Sequence, residues 1–132
     1  MKKILLISFT LICLSSVFLT ASKTYNISES QVNAIENKYG SGAKIRIEQW
    51  DSMIQTSRNE PLLNQIKNVN DFFNELTYKT DLMHWKKKDY WATPFEFIGT
   101  GAGDCEDYAI AKYFSLIKLG ISEDKLRITY VI

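Results

Sequence analysis

The sequence predicts an α+β domain, in which a run of helices gives way to one β-strand. Three observations point there. Helix-start signatures recur ahead of apolar residues spaced at three- and four-residue steps. A longer helix opens at Asp104 and closes at Gly120. Beyond it, Leu126, Ile128, Tyr130 and Ile132 alternate with Arg127, Thr129 and Val131, which is the two-residue period of a strand.

Residues 1–21 read as a secretory signal peptide. Lys2 and Lys3 give a positive start, residues 4–19 are apolar apart from serines and threonines, and Thr20-Ala21-Ser22 is a small-residue exit. The apolar run is short for a membrane span. An uncleaved anchor is the alternative. Cleavage is expected after Ala21, and Cys13 leaves with the leader. The domain is then 22–132, about 110 residues, enough for one small core. Apolar content of 45% and aromatic content of 13% describe a folded chain, not a disordered one. The net charge is +1, and the leader supplies two lysines, so the mature chain is near neutral. That excludes the basic footprint of nucleic-acid binding. Cys105 is the one cysteine outside the leader, so its thiol is free or paired with another chain.

Ser28-x-x-Gln31 is a capping box, in which side chains at both ends satisfy orphan amides. Val32, Ile35 and Tyr39 follow at helical spacing, and Gly40 is a stop. Ile45 and Ile47 alternate with charged residues, which fits a very short strand or the lead-in to a helix around Trp50, Met53 and Ile54. Pro61 suits the first turn of a further helix, whose apolar face is Leu62, Ile66, Val69, Phe73 and Leu76. Lys86-Lys87-Lys88 is a solvated patch, with a membrane or acidic-substrate role as the lesser alternative. Thr93-Pro94-x-Glu96 starts another helix. Gly99, Gly101 and Gly103 then allow close backbone approach or positive φ. No Gly-Lys-Ser/Thr follows, so this is not a phosphate loop. The helix over 105–119 takes Asp104 as its N-cap, with Ala109, Tyr113, Leu116 and Ile117 as its buried stripe.

Gly103-Asp104-Cys105-Glu106-Asp107-Tyr108 carries the chemistry. A thiolate is the reactive form of cysteine, and the amides of a helix N-terminus favour an anion and can hold an oxyanion. The acids oppose this. A carboxylate about 6 Å away repels a thiolate by roughly 3 kcal/mol at an effective dielectric of about 20, before solvent screening. A divalent ion would offset that repulsion, and calcium takes carboxylate oxygens in flexible geometry. Asp104, Glu106 and Asp107 are therefore candidate calcium ligands beside a candidate nucleophile, Cys105. The plainer alternatives are acids that only stabilise a helix start, and a buried, inert cysteine.

Asp89-Tyr90-Trp91-Ala92-Thr93-Pro94, Gly101-x-Gly103-Asp104-Cys105-Glu106-Asp107-Tyr108-Ala109-Ile110-Ala111-Lys112-Tyr113 and Leu126-Arg127 together resemble the bacterial transglutaminase-like cysteine proteinases, over about 69–132. The resemblance implies a papain-like α+β fold, with the nucleophile helix packed on an antiparallel sheet of which 126–132 would be the first strand. It implies a Cys-His-Asp triad with Cys105 as nucleophile, and calcium held by Asp104 and Glu106, with Asp107 as a further ligand. It implies a periplasmic, calcium-dependent endopeptidase that cleaves a large surface adhesin in biofilm cells. An inner-membrane cyclic-di-GMP receptor would sequester it. The family's histidine and aspartate lie after the cysteine helix, beyond Ile132. His84 is the only histidine, and it reads as a surface or packing residue. The expectation is thus an N-terminal portion of the domain, 22–132, inactive on its own and with an unpaired strand edge. Trp91 and Tyr90 are candidates to shape the cleft or to fill the core. Acyl transfer to an amine and a non-catalytic calcium- or protein-binding module are the competing functions.

Overall fold

The computed structural model describes residues 26–131, and the predicted leader 1–21 with Cys13 lies outside them. The order is α1 (Glu29–Tyr39), α2 (Ser41–Ser57), α3 (Leu62–Asn74), β1 (Thr77–Tyr78), α4 (Asp81–His84), α5 (Pro94–Thr100), β2 (Ala102–Gly103) and α6 (Cys105–Lys118), then a 3₁₀ turn at Glu123–Lys125. Among the described residues no helix is long and apolar enough to cross a membrane.

Both predicted capping boxes form. Ser28 Oγ accepts from Gln31 N, and Thr93 Oγ1 accepts from Glu96 N. Gly40 serves two helices, ending α1 and opening α2 at φ 87°. The residues around Ile45 and Ile47 form no strand. Ala43, Ile47, Trp50 and Ile54 lie at four-, three- and four-residue steps and are the buried stripe of a 17-residue helix. That stripe makes α2 the centre of the domain, packed against α1, α3 and α5.

The core lies between these helices. Phe73, Phe97, Ile47, Ile54, Ile98 and Val69 are fully buried, and the Phe73 and Phe97 rings stack at 5.8 Å. Burial of each such side chain contributes about 1.5–3 kcal/mol. On α3 the predicted face is only half used, since Val69 and Phe73 are buried while Leu62 and Ile66 remain exposed.

Helix α6 buries a different stripe from the one predicted. Asp107, Ala111 and Ser115 face inward, with Leu119 just past the helix, while Ala109 is exposed and Tyr113, Leu116 and Ile117 are half-buried. Small residues win here because they admit a large neighbour: the Trp50 indole N–H donates to Ser115 Oγ at 2.9 Å, and Ser115 donates on to Ala111 O.

The predicted strand at 126–132 is also corrected. Leu126 has extended backbone, at φ −119° and ψ 142°, but 126–131 pair with no strand among the described residues. Alternation encodes an extended chain, whereas a strand needs a neighbour for its amides and carbonyls. The pairing that does form is parallel, between β1 and β2, with Thr77 opposite Ala102 and Tyr78 opposite Gly103.

Arg46 of α2 fixes the end of α5. Its Nε donates to Ile98 O at 2.7 Å and its Nη2 donates to Gly99 O. The chain then turns at Gly101, φ 71°, where a Cβ would meet the Arg46 guanidinium at 3.0 Å. A left-handed residue crowded by a guanidinium has to be glycine.

Candidate active site

The glycine-rich connection delivers Cys105 to the first position of α6. Thr77 N donates to Gly101 O at 3.0 Å and Lys79 N to Gly103 O at 2.8 Å, so β1 holds the segment just ahead of the helix. Tyr108 of α6 donates its hydroxyl to Leu76 O at 2.6 Å, tying the helix back to the residue just ahead of that strand. Cys105 is exposed, as a nucleophile needs to be.

Asp107 is the structural member of the acidic run. It is fully buried and accepts from Ala92 N at 2.7 Å and from Asp104 N at 3.2 Å. It therefore locks the loop before α5 to the start of α6. Burial raises its carboxyl above the ordinary value, and the two amides pull it back. Gly103 makes room for it: a Cβ there would lie 2.5 Å from Asp107 Oδ2 and 2.8 Å from Phe97.

Asp104 is half-buried. Its carboxyl is pushed up to about 7, first by burial, then by hydrogen bonding to and charge on Glu106, and then by the charges of Asp81 and Asp107. The pressure comes from packing. Asp81, Asp104 and Asp107 each offer an oxygen within 4.8 Å of the others, and Asp81, Asp89 and Glu106 do the same. The structure thus brings Asp104, Glu106 and Asp107 into one acidic cluster and adds two acids that sequence reasoning missed. Asp81 is the shared member, buried, with Oδ2 accepting from Tyr90 N at 2.5 Å. Its Oδ1 and that of Asp104 are buried without a hydrogen-bond partner. Buried carboxylate oxygens without donors are unfavourable unless a cation or a proton meets them. Hard oxygen donors of this kind fit calcium.

The flanks of the thiol differ. On one side a cavity of about 210 Å³ is lined by Trp91, Cys105, Glu106, Ile110, Ile128 and Tyr130, among others. Trp91 is exposed there and leans on Tyr130 at 6.5 Å, while Tyr90 packs on Trp85 and donates its hydroxyl to Glu96 at 3.0 Å. Tyr78, exposed on β1, stands opposite Gly103, two residues before the cysteine. His84 is half-buried against Trp85 at 4.6 Å, and its Nε2 is buried without a hydrogen-bond partner. Burial lowers its basicity, and Lys79 adds to that. Lys86, Lys87 and Lys88 are all exposed, as a solvated patch should be.

Fold and site together define a transglutaminase-like protein with a cysteine at the first position of α6. A model of the bacterial transglutaminase-like cysteine proteinases (BTLCP) matches residues 43–132. The chain belongs to that family of cysteine proteinases. Among solved structures it is similar to Legionella pneumophila LapG, with TM-score 0.61, 37% identity, and coverage of 75% of this chain and 55% of that one. The same protein treated with EGTA gives TM-score 0.61 and 37% identity over 75% of this chain and 53% of that one. Its calcium-bound form gives 0.61 and 38% over 74% and 54%. The chain thus spans about half the length of the structures it matches. No curated protein sequence matches it.

Proposed function

We propose that this chain is the nucleophile-bearing portion of an exported, calcium-dependent cysteine endopeptidase acting on an adhesin-type surface protein. The observation that carries this reading is an exposed thiol at a helix start beside two buried, partnerless carboxylate oxygens, on Asp81 and Asp104. Cys105 is the attacking sulfur, and the first-turn amides of α6 face the anion. Asp104, Glu106 and Asp107, joined by Asp81 and Asp89, hold calcium, which supplies positive charge to balance the acids around the sulfur. Asp107 has a second task, since its amide bonds set where α6 begins. That a calcium-bound form of LapG exists supports the choice of ion.

In this reading residues 1–21 direct export to the periplasm and are removed, and 22–132 form the N-terminal part of the proteinase domain. A surface adhesin is the substrate, and an inner-membrane cyclic-di-GMP receptor is the partner that sequesters the enzyme. Residues 1–132 alone would not turn over, because His84, the one histidine, is packed on Trp85 and offers the sulfur no base.

The test is the rate at which iodoacetamide alkylates Cys105 with calcium and with chelator. Calcium should raise the rate by on the order of tenfold, as expected when cluster repulsion of roughly 3 kcal/mol per carboxylate is partly relieved. An identical rate in both conditions refutes the calcium site.

A further inference from the structure

Resting on the calcium-dependent endopeptidase reading, we propose that Trp91 is a specificity-determining residue. Its indole is fixed through Asp89 when calcium is bound, and it then walls a pocket beside Cys105 that takes an apolar side chain of the substrate. The cavity of about 210 Å³ that reaches Cys105 has Trp91, Ile110, Ile128 and Tyr130 among its walls, with Glu106 beside them. At 54% exposure Trp91 is not fixed by burial. Its ring lies 6.5 Å from that of Tyr130, and its Nε1–H donates to Asp89 Oδ1 at 3.1 Å. Asp89, Glu106 and Asp81 each offer an oxygen within 4.8 Å of the others. Asp81 is 4% exposed and its Oδ1 has no hydrogen-bond partner, which marks a place that a cation or a proton completes.

Two carboxylates carry the coupling. An ionised carboxylate has two oxygens and room for more than one partner, so Asp89 can meet an ion and the indole N–H together. While that carboxylate is free, an exposed hydrogen bond to it is weak and both side chains keep their rotamer freedom. Once it is coordinated, the acceptor is fixed and the indole with it. Glu106 is the second link, because it belongs to the acidic group and to the cavity wall alike. An ionised carboxylate without a cation keeps water in the cavity, whereas one that shares a cation leaves the aromatic and aliphatic walls to an apolar guest. Cys105 lines the same cavity, so that guest is a side chain next to the attacked carbonyl.

The experiment alkylates Cys105 of the full chain with iodoacetamide and with N-benzyl iodoacetamide, in calcium and in chelator. Both reagents form the same C–S bond and release iodide, so their rate ratio cancels the effect of the ion on the sulfur and reads the pocket. Calcium should raise the benzyl-to-plain ratio about fivefold, the scale of holding one side chain in place. Trp91→Phe keeps an aromatic wall and loses the N–H. Its ratio should move less than about twofold on adding calcium, while calorimetry finds calcium affinity within about threefold of the unsubstituted chain. Trp91→Ala removes the wall and should lose the benzyl preference in both conditions. A ratio that calcium does not move in the unsubstituted chain overturns the inference, and so does a calcium effect that persists in Trp91→Phe. A larger loss of calcium affinity in Trp91→Phe overturns it as well, because Trp91 would then belong to the ion site itself. The calcium-dependent rate with iodoacetamide alone is a separate reading, so in each of these cases the endopeptidase proposal stands. If calorimetry finds no calcium bound to the unsubstituted chain, the calcium reading fails and the inference falls with it.

Discussion

Replacing Gly103 by alanine tests whether the start of α6 is as tightly specified as its contacts imply. The new Cβ would sit 2.5 Å from Asp107 Oδ2, 2.8 Å from Asp107 Cβ and 2.8 Å from Phe97 Cδ2. Neither neighbour can yield. Both are fully buried, Asp107 is held by two amides, and Phe97 is stacked on Phe73. Overpacking of this kind costs about 1–3 kcal/mol. If Asp107 gives way, the loss of amide bonds to a buried carboxylate adds about 1.5–3 kcal/mol. A total near 3–5 kcal/mol would lower the thermal midpoint of a domain this size by about 10–20 °C. Gly42→Ala is the control. Its Cβ meets only Arg46 Nη1, at 3.4 Å, inside a helix, so it should be neutral or stabilise by up to about 1 kcal/mol. Circular dichroism melts of both variants read the difference. A midpoint for Gly103→Ala within about 3 °C of the unsubstituted chain would refute the argument that Asp107 is immobile.

Two further outcomes follow from the acidic cluster. The fold holds Asp104 at about 7, above its ordinary 3.8, so the folded state binds the extra proton. Its contribution to stability is complete below about pH 3.8 and is lost as pH rises through about 7. In chelator the thermal midpoint should therefore fall between about pH 5 and 8, and calcium should flatten that slope; a flat profile in chelator contradicts the crowding of these acids. Asp81→Asn keeps an oxygen for Tyr90 N but removes a charge. Calorimetry should show calcium affinity reduced by at least about tenfold, with the calcium-free midpoint equal or higher; unchanged affinity would exclude Asp81 as a ligand.

What the sequence disclosed was local. Ser28 with Gln31, Thr93 with Glu96, and Asp104 ahead of Cys105 each encode a helix start within four residues, and all three stand where the pattern put them. Cys105 and its three acids were visible for the same reason, being contiguous. Long-range packing was not legible. Alternation at Ile45 and Ile47 suggested a strand because it gave no sign that Ala43 and Trp50 would share their face. On α6 the larger side chains looked like the core, yet the space beside Trp50 suits Ser115 and Ala111. Asp81 follows Thr80 as any first-turn acid would, and only the tertiary fold sets it against Asp104. Strand β1 was hidden similarly, because two residues have no period to read.

The Arg46 clamp makes the thiol's address depend on a residue more than fifty positions earlier. A shortened version beginning near residue 60 would keep the cysteine and every acid of the cluster. It would nevertheless release the carbonyls of Ile98 and Gly99 and let the hinge at Gly101 swing. A guanidinium stays charged across the whole working pH range, so no change of acidity would undo this anchor. Lysine, with a single ammonium, could not grip two adjacent carbonyls in the same fork. Helix α2 is therefore part of the candidate site in a mechanical sense, as the fixed jaw against which the loop is braced.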